Sequence, residues 1–252
     1  VNFLGEVFDF LTSSDQWHGD ESIPRLLGQH VQLTVVSVLV AAIVALPIGI
    51  LLGHVRTGGA LAVNIANIGR ALPAFALLIL SVQWVGIGDP TGILTPVQSV
   101  PAFIAMFALA VPPMLANAYV GMANVDDEIR ESARGMGMNA RQMIWRVELP
   151  NAMPLVMAGV RTATVGVVAT ATLAALVDSG GFGRYIIDGI AVNDNAKVFA
   201  GGLLVALLAI ALELVLALVQ RWLTSPGLRR ERRATMADAI TNRIPGIDQP
   251  AL

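Results

Sequence analysis

Few side chains in this sequence are suited to chemistry, and their spacing excludes most of it. There is no cysteine, which rules out thiolate nucleophiles, thiolate metal sites and disulfides. The histidines His18, His30 and His54 stand too far apart for metal-ligand spacing. Lys197 is the sole lysine and lies outside any Gly-x-x-x-x-Gly-Lys-Ser/Thr run, so the chain lacks the usual nucleotide phosphate cradle. Neither Gly-x-Ser-x-Gly nor His-Glu-x-x-His occurs, which argues against an intramembrane enzyme. Two features remain. One is a charged stretch over residues 123–150. The other is a pair of lone charges, Arg161 and Glu213, set in apolar surroundings. A charge near the centre of a bilayer costs several kcal/mol unless it is paired or wet. The two lie at similar depths from the cytoplasmic ends of their segments and are expected to pair, either as a structural ion pair or as a gate that breaks.

Membrane-spanning helices must position these groups. Of 252 residues, 55% are hydrophobic and only 13% charged, whereas soluble domains carry about a quarter charged residues. A span needs roughly 20 mostly apolar residues, and several stretches qualify. They are Leu33 to Gly53, about 62–86 with Arg70 and Pro73 in its first half, and about 100–122 with Pro112-Pro113. Two more are about 154–177, rich in Ala, Gly, Thr and Val, and about 198–222, interrupted by Glu213. The fold class expected is therefore all-α integral membrane, with about five transmembrane helices. Arginine and lysine stay on the cytoplasmic side. With the N-terminus outside, the inner segments hold eleven such charges and the outer ones only Arg25, Arg184 and Lys197. The C-terminus is then cytoplasmic.

The chain divides into an external N-terminal segment (1–30), a transmembrane domain (31–223) with a cytoplasmic loop (123–150), and a polar cytoplasmic tail (224–252). The acidic first 30 residues lack the basic start of a cleavable signal. Phe3, Leu4, Val7, Phe8 and Leu11 follow a helical period, as an interfacial helix or one packed on the bundle would. The run Arg229-Arg230-Glu231-Arg232-Arg233 suits a role in fixing topology beside anionic lipid.

The loop reads as two short helices around a glycine turn. Asn124 is a candidate cap for a helix whose first turn holds Asp126, Asp127 and Glu128. Gly135-Met136-Gly137 breaks it, and Asn139 with Gln142 resembles a capping box for a second helix that Pro150 should end. A connector alone would not need Ile144 and Trp145 in the cytoplasm; a plug for another protein's groove would.

Glu131-Ser132-Ala133, three residues, Gly137, nine residues, then Val147-Glu148-Leu149-Pro150 resembles the loop motif of ABC importer permeases. In that family the pattern is Glu-Ala-Ala, Gly, then Ile-x-Leu-Pro at the same spacing, so Ser132 and Val147 are mild departures. The resemblance runs from about His30 to Arg221. Pro47-Ile48-Gly49-Ile50-Leu51-Leu52-Gly53, Arg70-Ala71-Leu72-Pro73, Gly159-Val160-Arg161-Thr162 and Gly180-Gly181-Phe182-Gly183 look like the branch importing glycine betaine, carnitine, choline and proline. Asp178 and Phe182 depart from that branch, and methionine or other amino-acid permeases share the loop.

The resemblance implies a type I importer permease fold in the cell's inner membrane. It also implies an ABC ATPase subunit that uses ATP, a second permease copy or paralogue, and an external substrate-binding protein. No cofactor and no nucleic-acid partner is expected for this chain. Glu131, Gly137, Ile144, Trp145 and Leu149 would carry coupling to the ATPase. Thr162, Gly166, Thr170 and Ala174 recur every four residues as a narrow face, suited to a translocation path or to a helix seam. A secondary transporter is the remaining rival, but no repeat between the halves supports it.

Overall fold

The computed structural model describes residues 2–86, 99–177 and 179–224; the arginine-rich run and Asp178 lie outside them. Among the described residues every regular element is helical. Helix α1 (Phe3–Thr12) precedes α2 (Ile23–Val55), and α3 (Gly59–Ala71) leads into α4 (Ala74–Val85). Helix α5 (Val100–Ala123) is followed by the short α6 (Asp127–Gly135) and α7 (Ala140–Met143). A π turn (Ile144–Glu148) then joins α7 to α8 (Leu149–Thr170), which tightens to 3-10 geometry over Ala171–Val177. Helices α9 (Gly183–Val192) and α10 (Asn195–Leu223) complete the bundle. Four helical stretches are long and apolar enough to cross a membrane, and α3 with α4 makes a fifth if counted as one span.

That second span is not straight. Its two halves, Gly59–Gly69 and Ala74–Val85, meet at 89°. Pro73 lacks an N–H and disfavours helical geometry in the residue before it, and Leu72 is accordingly extended (φ −76°, ψ 121°). The first span also differs from expectation, because α2 starts at Ile23 rather than near Leu33. Pro24 suits its first turn, and Leu26, His30 and Leu33 continue the inward face upstream. At 1.5 Å per residue its 33 residues are longer than the roughly 30 Å core a span has to cross.

Helix α5 sits at the centre, packed against α2, α3, α4 and α8. Its seam with α2 is glycine-lined. A Cβ at Gly49 would stand 2.7 Å from the Ala118 Cβ, and one at Gly53 would stand 2.5 Å from the Met122 Cβ. The core around them is Ala41, Ala45, Ala105, Met106, Ala110 and Met114. Helix α10 instead turns Ile210, Leu214, Leu218 and Trp222 outward. Helix α1 packs on the bundle through Val7, Phe10 and Leu11, with Phe3 edge-on to Phe199. Leu4 and Phe8 stay exposed on its other face.

The end of the bundle that carries the start of α2 is closed by a polar clamp. His30, buried in α2, pairs through Nε2 with the Val168 carbonyl at 3.0 Å, and its Nδ1 accepts from the Phe182 N–H at 3.3 Å. The Gln29 side chain accepts from the Gly181 N–H at 3.0 Å. The Gly180–Gly183 turn is thereby tied to the first span. Helix α9 follows it, and the Tyr185 hydroxyl donates to the Glu21 carbonyl at 2.6 Å. Burial, and then the nearby Glu21 charge, pushes that phenol up to about 12, so it remains a neutral donor at physiological pH.

Candidate functional site

The loop between α5 and α8 is built from three adjoining pieces. Asp126, not Asn124, caps α6, its carboxylate accepting from the Glu128 N–H at 2.8 Å. Val125 is buried, which moves the start of the helix two residues on. Helix α6 closes in a Schellman motif. The Gly137 N–H donates to the Arg134 carbonyl at 2.9 Å, and the Met138 N–H to the Ala133 carbonyl at 3.2 Å. Gly137 takes φ +78°, the left-handed region that glycine enters at least cost. Asn139 and Gln142 then form the reciprocal capping box, each contact at 2.9 Å.

Pro150 does not end the second helix. The π turn has already shifted the hydrogen-bond register, with the Leu149 N–H donating to the Ile144 carbonyl. Pro150 therefore falls in the first turn of α8, where its missing N–H needs no partner. The chain runs from the loop into the span as one bent rod. π turns of this kind recur at functional sites.

The loop residues divide between two faces. Glu131, Ser132, Gly137 and Trp145 face outward, beside the unforeseen Ile129 and Met136. Trp145 is 63% and Met136 70% exposed. Ala133 faces inward, while Val147 and Pro150 are half-buried. Ile144 and Leu149 pack on Ala118, Met122, Ala152 and Val156. Large apolar side chains projecting among charges form a knob that a partner's groove can enclose.

Beneath the knob lies a charge cluster that sequence reading missed. Glu148 is fully buried. Its Oε2 accepts from His54 Nδ1 at 2.6 Å, and its Oε1 lies 3.3 Å from an Arg130 amino nitrogen. Arg130, also buried, donates to the Met122 carbonyl at 2.6 Å and to the His54 carbonyl at 3.2 Å. Burial lowers the affinity of the Arg130 guanidinium for its proton, and the adjacent Glu148 carboxylate opposes that shift. Arg56 adds a second tie, donating to the Val125 carbonyl at 2.8 Å and pairing with Asp127. The only signal in the sequence was one carboxylate between Val147 and Leu149, where the pattern leaves the residue unspecified.

Within the spans, Thr162, Gly166 and Thr170 line a cleft of roughly 650 Å³ facing the α3–α4 corner and Pro113 and Asn117 of α5. Ala174 does not join them. The switch to 3-10 geometry at Ala171 breaks the four-residue period and turns Ala174 into the core, fully buried. The Thr170 hydroxyl bonds the Gly166 carbonyl and the Asn117 amide the Pro113 carbonyl, both at 2.8 Å. Both polar groups are thus satisfied within their own helices.

Arg161 Nε meets Glu213 Oε1 at 3.0 Å, and another guanidinium nitrogen reaches Gln220 Oε1 at 2.6 Å. Gln220 in turn donates to the Pro154 carbonyl at 3.2 Å. We propose that this network is structural. Glu213→Leu alone is expected to lower the thermal unfolding midpoint in detergent more than Arg161→Leu with Glu213→Leu. A lone mid-span charge costs about 2.5–3.5 kcal/mol on insertion scales, whereas removing both partners is often near neutral. Equal losses in the single and double variants would count against direct pairing.

Residues 45–225 match the family described as "Binding-protein-dependent transport system inner membrane component". The chain is 34% identical over 202 residues to the choline transport system permease protein OpuBB of Bacillus subtilis, covering 80% of this chain and 88% of that one. It is 34% identical over 226 residues to the glycine betaine/carnitine/choline permease protein OpuCB of the same organism, covering 90% and 97%. The osmoprotectant import permease protein OsmY of Salmonella typhimurium is 37% identical over 194 residues, covering 76% and 78%. Among solved structures, a chain of the inward-facing MetNI methionine ABC transporter superposes with a TM-score of 0.64 at 21% identity, covering 78% of this chain and 94% of that one.

Proposed function

Because the chain belongs to the binding-protein-dependent transport system inner membrane components, we propose that it passes compatible solutes such as glycine betaine, choline, carnitine or proline across the cell's inner membrane. It is a permease subunit; a separate ATPase hydrolyses the ATP. The reading rests above all on the knob formed by α6 and the π turn, whose Trp145, Met136 and Ile129 project where a partner must cover them. With the N-terminus outside, that knob faces the cytoplasm and docks in the ATPase. Closure of the ATPase on ATP displaces the knob, and α8, continuous with it, tilts the bundle between inward-open and outward-open states. A second permease copy or paralogue completes the path along Thr162, Gly166 and Thr170, and an external binding protein delivers the solute.

The osmoprotectant branch is favoured over methionine import because the permeases named for osmoprotectants are 34–37% identical over most of the chain. The methionine transporter shares only the fold, at 21% identity. The test is uptake of labelled glycine betaine, choline and methionine by high-salt cells lacking this gene, with and without the gene restored. Restored betaine or choline uptake without methionine uptake is the expected result. Methionine uptake alone would overturn the branch, and restoration of none of the three would overturn the assignment of betaine and choline.

A further inference from the structure

The knob can move the spans only if it is fixed to them at more than its own chain ends, and the buried charge cluster supplies that fixture. We propose that Glu148, held between Arg130 and His54, is a positioning residue that makes the docking loop and the cytoplasmic end of the first span move as one piece. This rests on the permease reading above and extends it from the loop to α2.

Several chain segments converge on this carboxylate. His54 comes from the last turn of α2, at 2.6 Å. Arg130 comes from the middle of α6, at 3.3 Å. Arg130 is itself anchored to the Met122 carbonyl at the end of α5 and to the His54 carbonyl at the end of α2. Glu148 is the final residue of the π turn, the place where a bent rod would otherwise flex. Both Glu148 and Arg130 are out of reach of solvent, at 0% and 2% exposure. Neither can leave the other without stranding a buried charge, so the pair persists as the bundle tilts. The outward residues of the knob grip the ATPase, and this inner set passes their displacement to a helix the knob does not adjoin in sequence.

This chain has no cysteine of its own, so with a cysteine-free ATPase engineered pairs can be labelled without background. In the complex with its ATPase, spin labels at Glu128→Cys in α6 and Leu51→Cys in α2 read the separation of loop and span. With Glu148 present, the separation is expected to stay the same with and without a non-hydrolysable ATP analogue. In Glu148→Gln, which keeps the shape but not the charge, the analogue is expected to lengthen or broaden it. In proteoliposomes, ATP hydrolysed per solute imported should rise by roughly tenfold in Glu148→Gln, the low end of what one close ion pair contributes. An unchanged label separation in Glu148→Gln would overturn the proposal. So would uptake and hydrolysis that fall together in step with the amount of assembled complex, since that marks a purely structural role. If the wild-type complex imports none of the solutes tested, the solute reading fails while the label separations still decide the role of Glu148.

Discussion

Gly137→Val is expected to cut solute uptake by roughly 5–30-fold while the amount of permease in the membrane stays unchanged. The effect comes from backbone geometry alone, because a Cβ at this position would meet no atom within 4 Å. At φ +78° an ordinary L-residue costs roughly 1–2 kcal/mol, and a β-branched one more. One or two kcal/mol is a 5–30-fold change in a conformational equilibrium. Without the Schellman closure, α6 cannot stop one residue before the turn and hand over to the Asn139 capping box, so the knob loses its shape. The spans do not feel the change, since Gly137 is exposed and lies outside them. The series should be graded, with Asn mildest because it tolerates the left-handed region, Ala intermediate and Val most severe. Uptake assays beside quantitative membrane blots would check it. A series that instead follows side-chain volume would indicate a steric clash with the ATPase and not a backbone effect.

Gly53→Leu is expected to destroy the fold. Even the Cβ of an alanine would stand 2.5 Å from the Met122 Cβ and 2.7 Å from the Tyr119 carbonyl, both on α5. At Gly49 the corresponding neighbours are the Ala118 Cβ and the Leu115 carbonyl, each at 2.7 Å. Two backbones at such separation cannot yield by a change of rotamer, so α2 and α5 must separate. Overpacking alone costs typically about 1–3 kcal/mol per site, and separation also pulls His54 from Glu148. Thermal unfolding in detergent is the measurement. Gly53→Ala should lower the midpoint clearly and Gly53→Leu should leave little folded protein. Gly202→Ala in α10, whose Cβ would meet nothing within 4 Å, should hold or raise it, because alanine is the better helix former. Equal shifts at Gly53 and Gly202 would remove the close-approach argument.

These two glycines show how far the sequence could be read. Gly49 and Gly53 stand in the small-x-x-x-small spacing of a helix seam, yet the spacing alone names neither the partner helix nor the face. The existence and type of the spans were legible because lipid demands long apolar runs. The capping box at Asn139 and Gln142 was legible because it is a local exchange of hydrogen bonds. The break at Pro73 was visible as a residue, but the 89° corner depends on what packs against its two arms. The path of the chain past Pro150 was misread because a proline that ends one helix also suits the first turn of the next. Only the π turn before it decides between those outcomes. Glu148 was missed for a different reason. A lone carboxylate in a loop between two spans gives no sign of burial until Arg130 and His54, 18 and 94 positions away, are brought to it.

The clamp at the start of α2 ties synthesis to assembly. His30 emerges in the first span, but the carbonyl it bonds belongs to Val168, 138 positions later, and the turn that completes its hydrogen bonding lies 152 positions later. At ribosomal speeds of about 5–20 residues per second, that is a wait on the order of ten seconds. Until then His30 lacks both of its hydrogen-bond partners, although α2 can already pack on α5. A nascent chain arrested before Val168 therefore leaves His30 without the partners it has in the complete bundle. The clamp forms only once residues 168–182 have been made, so the first span is fixed in place by some of the last parts of the bundle to appear.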